Sequence, residues 1–179
     1  RWLFYYPRKE DWKYRSPYFF LETLSNLKVD NKNISFELIG NEPNWLKQMI
    51  TEFGLEQSYV SHGFQSKENA LSLMNSMDIL LITSEKIENG DHFCLPSKIF
   101  DYLKTNKPII SFSTKGSVSN FVNDSKCGLY IHADDTLLSK TKKLKDFLDN
   151  NFQMKRNEEY LSQFSISNCV EKLLTKYLL

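Results

Sequence analysis

The stretch from Asp78 to Ser113 constrains this chain more than any other: DILLITSEKIENGDHFCLPSKIFDYLKTNKPIISFS. Ile79-Leu80-Leu81-Ile82-Thr83 is a short apolar run of the kind a parallel sheet buries on both faces. A long polar loop follows, and then Pro96, well suited to the first turn of a helix because its missing N–H is not needed there. Ser97, Lys98 and Asp101 fall on one polar side of that helix, and Ile99, Phe100 and Leu103 on the side that would pack on a sheet. Pro108 to Phe112 reads as the next buried strand. A strand, loop, helix and strand in this order make a βαβ unit. In an open α/β sheet, ligands sit where loops and helix N-termini leave the carboxyl ends of the strands. The exposed N–H groups of such a terminus favour an anion, most often a phosphate.

The same alternation runs through the chain. Strands are expected at Leu3–Tyr6, Ile34–Ile39, Gln57–Val60, Ile79–Thr83, Pro108–Phe112 and Gly128–Ile131. Helices are expected at about Pro17–Leu27, Trp45–Phe53, Lys67–Met77, Ser97–Lys104, Ser117–Val122, Thr136–Leu148 and Ile166–Tyr177. This pattern implies an α/β fold, a Rossmann-like three-layer sandwich with right-handed crossovers around a six-stranded parallel sheet. The doubly wound order 3-2-1-4-5-6 would set the first and fourth strands side by side at the switch point. The two longest loops, Pro7–Ser16 and Ser84–Leu95, follow those two strands, and the site is expected there.

With 179 residues, 41% hydrophobic and 25% charged, the chain suits one soluble domain, residues 1–179, closed by a C-terminal helix within 160–179. A net charge of +1 gives no reason to expect nucleic acid. No apolar run approaches the ~20 residues that cross a bilayer. The chain opens with Arg1-Trp2-Leu3-Phe4, already strand-like, with neither an initiator Met nor a signal peptide. An excised fragment of a longer protein is therefore expected. Cys94, Cys127 and Cys169 are widely spaced, as are His62, His92 and His132, so neither a disulfide framework nor a zinc site is expected. Free thiols suit a reducing, cytoplasmic setting.

Motifs for several chemistries are missing. There is no GxGxxG after the first strand, no GxxxxGK[ST], and no GxSxG elbow. That argues against a dinucleotide oxidoreductase, a P-loop NTPase and an α/β-hydrolase. The loop after the first strand holds Arg8, Lys9, Lys13 and Arg15. Each alone reads as a solvated charge, but their place after a central strand suits a bidentate phosphate contact by arginine. Ser97 is open between a helix cap and an anion ligand. No capping box is present, because Phe100 stands where Glu or Gln is wanted. Asp101 is equally open between an ordinary surface carboxylate and an acceptor for a ribose diol. Glu85, Glu88, Asp91 and His92 lie on the second long loop, where a solvated loop and a polyol contact both fit.

The segment Leu95-Pro96-Ser97-Lys98-Ile99-Phe100-Asp101-Tyr102-Leu103, followed by Asn106-Lys107-Pro108-Ile109-Ile110, carries a family resemblance. It is similar to the "PSK-apolar-x-E-Y-L-x-x-x-K-P-apolar" segment of group-one, retaining glycosyltransferases of the GT-B fold. Ile39-Gly40, Gly63, Glu68, Met74, Asp78-Ile79-Leu80, Lys115-Gly116-Ser117, Gly128 and Phe164-Ser165 match in order along nearly the whole chain. The chain thus resembles the C-terminal, donor-binding half of such an enzyme, with the acceptor half missing.

The resemblance implies that Asp101 binds the ribose hydroxyls, one methylene shorter than the family's usual Glu. It places Ser97, Lys98, Arg15 and Arg8 at the donor diphosphate, and Ser61, His62 and Phe64 along the base. Many members carry a further Glu eight positions before the second. Here that position is Phe93, and Glu85, Glu88 or Asp91 are the candidates to replace it. The implied reaction moves a sugar from a nucleotide diphosphate sugar to an acceptor hydroxyl, in the biosynthesis of cell-surface polysaccharide. No cofactor or metal is implied, because cations and helix N–H groups would stabilise the leaving diphosphate. The acceptor glycan or lipid, and any membrane association, would belong to the missing half. Two alternatives stand beside this reading. A nucleotide-sugar epimerase of the same architecture would want acidic and histidine groups for proton abstraction. A non-catalytic binding or scaffold module on the same fold is the other, since fold does not dictate function.

Overall fold

A computed structural model describes residues 11–27, 34–87, 93–152 and 154–177. Short strands alternate with helices along it. Helices α1 (Trp12–Arg15) and α2 (Tyr18–Asn26) precede β1 (Phe36–Leu38). Next come α3 (Asn44–Glu52), a 3-10 turn at Glu56–Ser58, β2 (Tyr59–Ser61), α4 (Lys67–Ser76) and β3 (Leu80–Thr83). Helix α5 (Lys98–Lys104), β4 (Ile109–Ser113), α6 (Ser117–Ser125), β5 (Gly128–His132), α7 (Leu137–Asp149), α8 (Glu158–Ser162) and α9 (Ile166–Tyr177) complete it.

All pairings are parallel, but the described residues do not form the expected six-stranded sheet. They form a two-stranded sheet, β1-β2, and a three-stranded sheet, β3-β4-β5. The within-sheet neighbours agree with the expected order. The strand expected to join the two sheets, Leu3–Tyr6, lies outside the described residues. No hydrogen-bonded pairing links β1 to β3 among them, so each ladder ends at that edge.

The sheet residues divide the core into two layers, because successive side chains point to opposite faces. Every residue of β4 is buried. Ile110 and Phe112 face one way, onto Leu21 and Leu24 of α2, Met49 and Ile50 of α3, and Leu144 of α7. Ile109 faces the other, onto Ile99 of α5 and Val118, Phe121 and Val122 of α6. Ile99 is fully buried as its helical side predicts, but Phe100 is 37% exposed and meets Phe164 at a ring separation of 6.1 Å.

Polar side chains start the helices. Ser66, Thr136 and Asn157 accept from the backbone N–H groups of Asn69, Ser139 and Tyr160, opening α4, α7 and α8. The side chain of Asp11 accepts from Lys13 N and turns part of the expected Pro7–Ser16 loop into α1. Glycine is required at position 128 by space: a Cβ there would lie 2.0 Å from the Ile109 carbonyl oxygen. No helix among the described residues is long and apolar enough to cross a membrane.

Candidate functional site

At the carboxyl ends of β1 and β3, beside the place where the expected strand Leu3–Tyr6 lies outside the described residues, polar side chains gather at the rim of a cleft. Its polar lining includes Arg15 at the end of α1, Thr83 at the carboxyl end of β3, and Lys98 and Asp101 of α5. Asn41 and Trp45, which follow the carboxyl end of β1, line it as well. Residues from four separate stretches, all near strand ends or helix termini, therefore share one concavity. That is the position an α/β sheet offers a ligand.

Arg15 is fixed from two directions. Its Nη2 lies 2.6 Å from Glu85 Oε2, and its carbonyl oxygen accepts a 2.7 Å hydrogen bond from Thr83 Oγ1. The arginine side chain is 59% exposed and the glutamate only 7%. Glu85, one of the candidates for a donor-sugar contact, has its carboxylate buried against the arginine. The two residues given separate roles by sequence are thus one ion pair, with the guanidinium on the solvent side.

Ser97 caps α5 without a side-chain hydrogen bond to the helix and is exposed, as is Lys98. Asp101 Oδ1 accepts from Lys104 Nζ at 2.8 Å, one turn along the same helix. That hydrogen bond holds the Asp101 carboxyl below its ordinary value, against a small opposing effect of burial. Asp101 therefore reaches the cleft as a carboxylate, able to accept hydrogen bonds but not to give them.

Ser61 ends β2, and His62 and Phe64 lie in the turn after it. Gly63, between the last two, has φ +65°, a left-handed conformation open to glycine at little cost. The Gly63 carbonyl accepts from Gly40 N at 2.9 Å and His62 N donates to the Leu38 carbonyl at 2.9 Å, so the turns after β1 and β2 are laced together. His62 Nε2 sits 2.7 Å from Glu37 Oε2. The hydrogen bonds from His62 and Ser35 hold the Glu37 carboxyl below its usual range. Phe64 is 81% exposed. Ser61, His62 and Phe64 do not line the cleft that holds Arg15, Lys98 and Asp101. Phe93 is exposed. Arg8, Glu88, Asp91 and His92 fall outside the described residues. No cluster of three or more metal-binding side chains occurs among the described residues.

Sequence reasoning missed a second polar cluster beside this site. Tyr14, Lys86 and Asp134 converge although Lys86 and Asp134 lie 72 and 120 residues along the chain from Tyr14. No local pattern announces such a contact.

A Rossmann-like α/β domain of GT-B type, with arginine, lysine and a carboxylate at a cleft by its strand ends, is the class this architecture defines. Residues 5–163 match the family described as glycosyl transferases group 1, and the chain belongs to that family. Among solved structures it is similar to WaaG, a glycosyltransferase involved in lipopolysaccharide biosynthesis (TM-score 0.61, 13% identity, 79% of this chain and 37% of the other). It is also similar to a glycosyltransferase from Rickettsia africae (TM-score 0.63, 18% identity, 92% and 44%). HepE from Anabaena in complex with UDP is a third (TM-score 0.55, 17% identity, 76% and 35%). The chain spans less than half the length of each of these structures. No curated protein matches it significantly.

Proposed function

We propose that this chain is the donor-binding part of a glycosyltransferase, taking a nucleotide diphosphate sugar whose sugar passes to an acceptor hydroxyl. The observation that carries the reading is the presence of Arg15, Lys98 and Asp101 in one cleft of a group 1 glycosyltransferase domain. Arg15 and Lys98 supply two positive charges for the diphosphate, and Asp101 accepts from the ribose hydroxyls. As the glycosidic bond breaks, negative charge grows on the leaving diphosphate. Cations placed beside the diphosphate stabilise that charge. Arg15 has a planar donor fork suited to two phosphate oxygens, and Glu85 holds that fork in place.

The base falls to Ser61, His62 and Phe64, at the end of β2 and in the turn after it. UDP in the HepE structure supports a nucleoside diphosphate ligand. The WaaG likeness supports a place in cell-surface polysaccharide biosynthesis; in this reading a further domain holds the acceptor glycan or lipid and the reaction runs on the cytoplasmic side. A non-catalytic module is the second reading, favoured by Phe93 at the position where the resemblance calls for an acidic group.

The test is calorimetric titration of the chain with UDP, GDP, ADP and CMP, repeated on Arg15→Ala. Saturable binding of one nucleoside diphosphate, weakened ~10- to 150-fold by the substitution, is expected from the loss of charge-assisted hydrogen bonds. A folded chain that binds none of them at millimolar concentration refutes the donor-site reading and leaves the non-catalytic one.

A further inference from the structure

Helix α1 is four residues long, too short to be stable alone. Something outside it must hold Arg15 at the cleft. Tyr14, the preceding residue, is 7% exposed and packs on Phe19 at a ring separation of 4.9 Å. Its hydroxyl donates to Asp134 Oδ1, in the turn between β5 and α7. Lys86, which follows Glu85, donates from Nζ to Asp134 Oδ2 at 2.9 Å and to Tyr14 Oη at 3.0 Å, and its ammonium lies 4.9 Å from the centre of the Tyr14 ring.

The turn that carries Asp134 is itself pinned. Lys140 Nζ donates to the Ala133 carbonyl at 3.3 Å and to Glu22 at 2.8 Å, and Lys143 Nζ lies 2.7 Å from Asp135 Oδ2. The backbone N–H of Asp134 donates to His132 Nδ1 at 3.2 Å. Three consecutive turn residues are thus tied to neighbouring side chains, and Asp134 is a fixed post. The cluster keeps its protonation pattern: the hydrogen bonds of Asp134 and Tyr14 raise the Lys86 ammonium, and those of Tyr14 and Lys86 outweigh burial to lower the Asp134 carboxyl.

Two members of the cluster are next in sequence to the ion pair at the cleft, Tyr14 to Arg15 and Lys86 to Glu85, and Asp134 joins those two. We propose that Tyr14, Lys86 and Asp134 form a clasp that positions the Arg15–Glu85 pair to receive the diphosphate of a nucleoside diphosphate. They are positioning residues, acting through Arg15 rather than on the ligand. This rests on the donor-site reading above.

The sign of one substitution separates positioning from simple electrostatics. Asp134→Asn removes a negative charge, which by itself makes the site more attractive to an anion. Loss of the clasp does the opposite, because Arg15 must then be ordered by the ligand at the ligand's cost. The probe is inorganic pyrophosphate, common to every base, titrated calorimetrically into the parent chain, Asp134→Asn, Tyr14→Phe, Arg15→Ala and Asp134→Asn/Arg15→Ala. Circular dichroism verifies that each is folded.

Asp134→Asn and Tyr14→Phe are expected to weaken pyrophosphate binding about three- to tenfold, and the double variant to bind no more weakly than Arg15→Ala alone. Unchanged or tighter binding by both single variants overturns the clasp while leaving the donor site standing. So does a double variant whose losses multiply, since Asp134 would then act independently of Arg15. A folded parent chain that takes up neither pyrophosphate nor any nucleoside diphosphate overturns the donor site, and the clasp with it.

Discussion

Gly128→Ala tests the sheet that carries the site. The new Cβ would stand 2.0 Å from the Ile109 oxygen and 2.6 Å from the Ile109 nitrogen, both main-chain atoms of the central strand β4. Ordinary contacts begin at 3.4 Å, so the two strands must separate by more than an ångström. The nearest ladder bond, Ile109 N to the Cys127 carbonyl at 3.0 Å, cannot survive that shift. Losing one or two buried backbone bonds costs ~1–3 kcal/mol, and forced overpacking adds ~1–3 kcal/mol. The total of roughly 2–6 kcal/mol corresponds to a fall in Tm of about 5–20 °C for a chain of this size. Thermal and urea unfolding followed by far-ultraviolet circular dichroism give the value. Gly54→Ala is the control, because Gly54 has φ +66° and nothing within 4 Å of the added carbon. It should lose only about 1–2 kcal/mol, from left-handed strain alone. A Gly128→Ala chain as stable as the parent, or no less stable than Gly54→Ala, refutes the close-approach argument.

Other outcomes follow from the same geometry. Phe112→Ala opens a cavity under α2 at a fully buried position and should cost ~3–5 kcal/mol in urea unfolding. Glu37 is depressed below its ordinary value of 4.5 in the folded chain, so its contribution is present above that pH and drains away as pH falls below it. Glu37→Gln should therefore flatten the acid limb of a stability-pH curve. Asp101→Asn should weaken binding of a nucleoside diphosphate several-fold while leaving inorganic pyrophosphate binding nearly unchanged, because the carboxylate serves the ribose. Equal losses for both probes would move Asp101 to the diphosphate.

The βαβ core was legible because its signals are local. Ile79–Thr83 and Pro108–Phe112 are apolar runs, and the structure places β3 and β4 on them with a shift of a residue at each start. Pro96 placed the start of α5, and Thr136 the start of α7. The weaker strands were harder. Gln57 and Ser58 were expected in a strand but belong to a 3-10 turn, and β1 keeps only three of the six residues proposed for it. Helices α1 and α8 have too few residues to show a periodicity; Asp11 and Asn157 mark them only through caps visible in three dimensions. The site divides in the same way. Arg15, Lys98 and Asp101 were singled out because strand ends and a motif point to them, and the three line one cleft. The burial of Glu85 against Arg15 was not, because a carboxylate in a polar loop looks solvated until its partner is placed. The Tyr14–Lys86–Asp134 cluster has no sequence signature at all.

The span of that cluster has a consequence for how the domain is made. A chain leaving the ribosome delivers Tyr14 and Arg15 early, Lys86 some seventy residues later and Asp134 last. The cluster beside the cleft therefore cannot be completed until β5 and its following turn have emerged. Until then the short first helix lacks its contact with Asp134. Competence to bind should appear late and abruptly during synthesis, with the closing of the longest-range contact in the site.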